Sequence, residues 1–121
     1  MIVLVMLAGA AGAVTRFLVD SEVKRRRPSV FPWGTVLINV SGSLLIGLVA
    51  GVVLFHGQPS AWQTIVGTGF CGGYTTFSTA SVETVRLAQQ GRHGMALSNA
   101  VIPLALSVGA CALGLWLVYL V

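Results

Sequence analysis

The chain has 121 residues, of which 55% are hydrophobic and only 8% charged, a balance that excludes an ordinary soluble globular domain. Its net charge of +4 is not laid along one face with interleaved aromatics, so nucleic acid is not expected as a partner. No nucleophile, base and orienter fall together and no Gly-rich nucleotide loop follows a strand, so an enzyme is not expected either.

Four apolar stretches, approximately residues 2–19, 33–55, 62–87 and 95–121, approach or exceed the roughly 18–20 residues that a helix needs to cross a hydrocarbon core about 30 Å thick. The expected fold class is an all-α membrane protein, with residues 1–121 forming one domain of four transmembrane helices in the cell membrane. The first span, Ile2 to Val19, has no basic region before it and no small-residue cleavage site after it, so it reads as a retained helix. Arg16 near its end suits a vestibule that attracts anions, or a side chain that snorkels and caps the negative helix end.

The second span carries Thr35, Asn39 and Ser43 at i, i+4 and i+8, on one helical face. Such a stripe binds something polar, or its hydroxyls bond back to their own helix while the Asn joins two helices. Asn39 has two N–H donors suited to an anion and is costly to bury unpaired. A Gly-Gln-Pro turn near Pro59 closes this span, and His56 beside it, like His93 later, reads as a solvated turn residue.

The third span contains Gly67-Thr68-Gly69-Phe70-Cys71-Gly72-Gly73-Tyr74-Thr75-Thr76-Phe77-Ser78-Thr79-Ala80-Ser81. Gly-Gly followed by Tyr and two β-branched residues predicts a break near Gly72 to Thr75. Irregular backbone at membrane depth is tolerated only where protein, water or an ion satisfies it. Free carbonyls there suit a hard cation and the start of a resumed helix suits an anion. Glu83 and Arg86, near the end of the span, are spaced for an i,i+3 pair at a vestibule.

Small residues four apart, Gly9 with Ala13, Gly47 with Gly51 and Ala105 with Gly109, are expected where helices touch. Pro103 predicts a kink in the fourth span. Cys71 and Cys111 lie inside predicted spans and read as reduced packing residues. Arg16, Lys24 to Arg27, Arg86 and Arg92 all fall at or near the first and third connections, which places those loops in the cytoplasm and both termini outside. A chain this short encloses little, so at least a dimer is expected, two-fold related or inverted.

These residues resemble the Fluc/CrcB family of fluoride channels from end to end. The resemblance is carried by the Gly-rich first span ending in Arg16, by Pro32-Trp33-Gly34-Thr35 with Asn39 and Gly42, and above all by Gly69 to Thr79. It implies a passive channel that exports fluoride to relieve its toxicity, built as an antiparallel, dual-topology dimer. It further implies a central Na+ held by the backbone carbonyls of Gly72 and Thr75. Asn39 and Phe77 would line the fluoride pathway, with Thr35, Ser78, Thr79 and Ser107 as hydroxyl contacts.

Two features depart from the family pattern. Ala80 stands where a second pathway Phe is usual, and the Lys and Arg residues all lie on one side, which fits a fixed orientation better than dual topology. The partner is a second copy in a homodimer or, as these two departures together suggest, an oppositely oriented paralogue in a heterodimer where only one pathway conducts, this chain alternatively being a non-conducting partner. Small multidrug cation exporters also pair four-span chains, but they resemble one another in an embedded first-span Glu, and Ile2 to Val19 holds no acid.

Overall fold

The computed structural model describes residues 1–29 and 31–121; Val30, in the first predicted connection, lies outside the described residues. The chain is helical throughout: α1 (Ile2–Arg26), α2 (Trp33–His56), α3, which is π-wound over Gln63–Cys71 and α-wound over Gly72–Tyr74, α4 (Ser78–Gln89) and α5 (His93–Leu120). No strand occurs among the described residues. Helices α1, α2 and α5 are each long and apolar enough to cross a membrane.

Helix α1 continues past the predicted boundary at Val19 to Arg26. Its polar end is self-supporting: Asp20 pairs with Lys24, and Glu22 with both Arg25 and Arg26, at the spacings that bring helical side chains together. Three basic residues in the last turn also complement the negative helix end. Helix α2 stops where Gly57 takes φ +64°, a left-handed cap that a residue with a Cβ adopts only under strain.

Helix α5 packs along α2, α3 packs on α1, and α4 leans on α5. The seams are made of missing side chains. A Cβ on Gly47 would collide with the carbonyl of Cys111, and one on Gly114 would press on the backbone of Leu44, Gly47 and Leu48. Between α1 and α3, Gly12 meets the Phe70 carbonyl and Gly73 meets the Gly9 carbonyl. Two expectations are therefore corrected. Gly12, not Ala13, is the buried small residue of α1. In α5 the tight contact falls at Gly114, while a Cβ on Gly109 would meet nothing within 4 Å.

The break also lies slightly later than predicted. Gly72 and Gly73 stay helical, Thr75 turns extended at φ −80°, ψ 157°, and α4 restarts at Ser78. Close packing holds Gly73 against α1, so the interruption moves to the β-branched pair. There the Cys71 carbonyl accepts both the Thr75 N–H at 2.8 Å and the Thr75 hydroxyl at 2.7 Å, which closes the helix.

Large apolar side chains are mostly outside, Ile2 at 76% and Leu54 at 70% exposure among them, as expected where lipid is the solvent. Since the seams depend on backbone contact, Gly47→Ala and Gly114→Ala each cost about 1–3 kcal/mol, the usual range for overpacking. Gly109→Ala stays within about 0.5 kcal/mol. Thermal unfolding in detergent micelles, comparing the three variants, checks this.

Candidate functional site

The interruption between α3 and α4 leaves polar backbone that needs partners inside the bundle. Asn39, in the second turn of α2, supplies them. Its Nδ2 donates to the Thr76 carbonyl at 2.9 Å, and its Oδ1 accepts from the Thr76 N–H at 2.9 Å. One side-chain amide thus replaces both main-chain bonds that Thr76 would make in a continuous helix. The Asn39 amide has two N–H groups, and this arrangement commits one and leaves the other available.

Asn39 lies on the wall of an open groove of about 570 Å³, shared with Ser43, Phe77, Asn99 and Ser107. The structure therefore brings together three of the predicted pathway residues, Asn39, Phe77 and Ser107. Phe77 is 86% exposed, with its ring on the open side of the subunit. The aromatic edge carries partial positive charge and can meet an anion alongside N–H and O–H donors.

Three predicted hydroxyls are elsewhere. Thr35 is buried in the first turn of α2, beside Glu83, outside the groove lining. Ser78 and Thr79 are exposed on the first turn of α4, and neither lines the groove. Thr79 instead donates its N–H to Thr76 Oγ1 at 3.2 Å, so Thr76 caps the resumed helix. Glu83 and Arg86 form no ion pair, and Glu83 keeps one buried carboxylate oxygen without a hydrogen-bond partner. Arg16, half-buried in α1, belongs to neither the groove nor the Glu83 cavity.

Asn99 is the residue that the sequence reading missed. It is 4% exposed and donates to Thr84 Oγ1 at 2.7 Å and to the Ala80 carbonyl at 3.4 Å. Its signal was present: an amide in an apolar run, on the same helical face as Pro103 and Ser107 at i+4 and i+8. Pro103 also lacks the N–H that would bond the Asn99 carbonyl, so one helical hydrogen bond is missing beside the groove.

The residues at the break fit a hard cation. In an unbroken helix the Thr76 N–H would bond the Gly72 carbonyl, but here Asn39 takes it, which frees Gly72. Thr75 follows in extended conformation, and the Gly72 Cα faces open space. Among the described residues no cluster of His, Cys, Asp or Glu offers an alternative metal site.

The sequence profile described as CrcB-like protein, Camphor Resistance (CrcB), matches residues 3–115. A protein of Leifsonia xyli subsp. xyli named fluoride-specific ion channel FluC 1 is 53% identical over 93% of this chain and 82% of its own length. A FluC 1 of Frankia casuarinae is 46% identical over 92% of this chain and 90% of its own, and a FluC 2 of Mycobacterium tuberculosis is 44% identical over 93% and 86%. With three helices able to cross a bilayer and a match along nearly its whole length, the chain belongs to the CrcB family and is a multi-pass membrane protein.

Proposed function

We propose that the chain is one subunit of a passive, fluoride-selective channel that exports fluoride across the cell membrane. The observation that carries this reading is the Asn39–Thr76 pairing beside Phe77: a polar break, satisfied at membrane depth, that opens onto a groove with spare donors. The names borne by the similar proteins support fluoride as the ion. On this reading α3, the break and α4 together make a fourth crossing, and the exposed ring of Phe77 marks a pathway wall that a second subunit completes.

Fluoride is small, hard and strongly hydrated, so a pathway must replace its water with strong donors. The second Asn39 N–H, the Ser107 hydroxyl and the edge of Phe77 are the groups placed for that exchange. The start of α4 adds positive partial charge at the same level. Thr35, Ser78 and Thr79 would contact the ion only outside this groove, with Arg16 and Glu83 at a vestibule.

The carbonyls of Gly72 and Thr75 would hold the Na+, with matching carbonyls from a partner. Bound there, the ion supplies fixed positive charge that ties two broken helices together. An antiparallel partner, which the family resemblance implies, sets break against break with both at the bilayer mid-plane. The one-sided Lys and Arg distribution favours an oppositely oriented paralogue over a second copy of this chain.

No energy source is required. Hydrogen fluoride crosses membranes as a neutral acid and ionises in a near-neutral cytoplasm, and a negative-inside potential then drives the anion out with about 2.3 kcal/mol per charge per 100 mV.

Two outcomes are expected, the first read as efflux from fluoride-loaded liposomes containing the chain with its partner and the second as stability in detergent. Asn39→Asp keeps the acceptor for the Thr76 N–H but sets a carboxylate oxygen against the Thr76 carbonyl and removes the spare donor, so efflux falls, with folding checked alongside by elution as a dimer in detergent. A hydrogen bond to a charged group is worth about 1.5–3 kcal/mol, which at about 1.4 kcal/mol per decade means a loss of about tenfold to a hundredfold. A folded Asn39→Asp channel with full efflux would remove Asn39 from the pathway. Exchanging all sodium for potassium during purification lowers both the melting temperature and the dimer fraction in detergent; indifference to sodium in both readouts would refute the Gly72–Thr75 cation site.

A further inference from the structure

A second cavity, of about 310 Å³, lies where the end of α1, the start of α2 and α4 converge, with Lys24, Arg27, Trp33, Glu83 and Arg86 in its walls. Three cations there face one carboxylate. Lys24 is held by Asp20 at 3.0 Å, but among the described residues neither Arg27 nor Arg86 has a carboxylate within ion-pair distance. Glu83 lies against Thr35, which leaves the two guanidinium groups as the unused charge of the cavity. A guanidinium is a planar fork of donors matched to phosphate oxygens.

The depth of the cavity is fixed by α1. Its 25 residues extend about 37 Å at 1.5 Å per residue, longer than the hydrocarbon core, so its basic end reaches the headgroup layer. Trp33, 51% exposed and packed on Phe31 with ring centroids 4.8 Å apart, stands at the same level, where aromatic side chains mark the membrane boundary. Two turns before Lys24, on the same face of α1, Phe17 is 70% exposed and offers the apolar surface that an acyl chain would follow.

From these observations we infer that the cavity seats the headgroup of an anionic phospholipid, with its phosphate on Arg27 and Arg86 and one acyl chain along Phe17. A halide ion would occupy a small part of this volume and would leave the exposed aromatic rim uncovered. A zwitterionic lipid carries its own ammonium group toward the two guanidinium groups, so net negative charge is what the site selects. Basic residues at a membrane surface contribute enough that loss of two weakens anionic-lipid binding about 30-fold.

The test is native mass spectrometry and thermal unfolding of the purified complex in a neutral detergent, titrated in parallel with phosphatidylglycerol, phosphatidylcholine or inorganic phosphate. Phosphatidylglycerol is expected to be retained and to raise the melting temperature, phosphatidylcholine is not, and the Arg27→Gln/Arg86→Gln double variant loses retention about 30-fold. Equal binding of the two lipids, undiminished binding by the double variant, or an arginine-dependent shift with inorganic phosphate in the absence of lipid retention would each overturn the inference. Should the double variant fail to fold, salt titration of the unaltered chain decides: retention must fall steeply with ionic strength, and salt-insensitive retention refutes the seat. None of these readouts uses fluoride flux, so this inference and the proposed channel function succeed or fail separately.

Discussion

The reciprocal pairing of the Asn39 amide with the Thr76 main chain is the constraint on which the site depends. A helix cannot stop at membrane depth unless its orphaned N–H and C=O groups find partners, since lipid offers none. By taking both polar groups of Thr76, Asn39 allows α3 to end and α4 to begin within a few residues. The same pairing frees the Gly72 carbonyl, turns the Phe77 ring outward and places the Thr76 hydroxyl to cap α4. A single side chain in α2 therefore organises the carbonyl side and the donor side of the break together.

Around this point the bundle holds together by shape more than by apolar burial. The fully buried side chains of substantial size are only Ile38 and Cys71 among the described residues, while the α2–α5 and α1–α3 seams run backbone against backbone at Gly47, Gly114, Gly12 and Gly73. In lipid this is the expected economy, since burying one more Leu gains little when the alternative is an acyl chain, whereas close approach gains dispersion contacts. The dense seams also make α2 a rigid rail, which suits a helix that must hold Asn39 opposite the break.

The helical class was legible because apolar runs of spanning length admit few other folds, and the family was legible from Gly69 to Thr79. The break was legible as to existence and roughly as to position: local propensity placed it near Gly72 to Thr75, and the packing of Gly73 on α1 sets it at the end of that stretch, from Thr75. Spacing alone also overstated the hydroxyls, because Thr35 shares a helical face with Asn39 but is covered by its neighbours, and Ser78 and Thr79 do not share the groove-lining face of α4 that carries Ala80, Ser81 and Thr84. Asn99 was missed for the opposite reason. Its importance comes from lying opposite Ala80 and Thr84 across two helices, a relation between distant parts of the chain that no single span displays.

The contrast between glycine seams and lipid-facing flanks bears on how such a chain changes over generations. At positions like Ile2 or Leu54, whose side chains look outward, any apolar residue solves the same solvation problem, so drift there is almost free. At Gly12, Gly47, Gly73 and Gly114 the neighbouring main chain occupies the place of a side chain, so a single added carbon is already an error. Tolerance to replacement is thus expected to divide between a coat whose apolar residues can be exchanged and seams where they cannot.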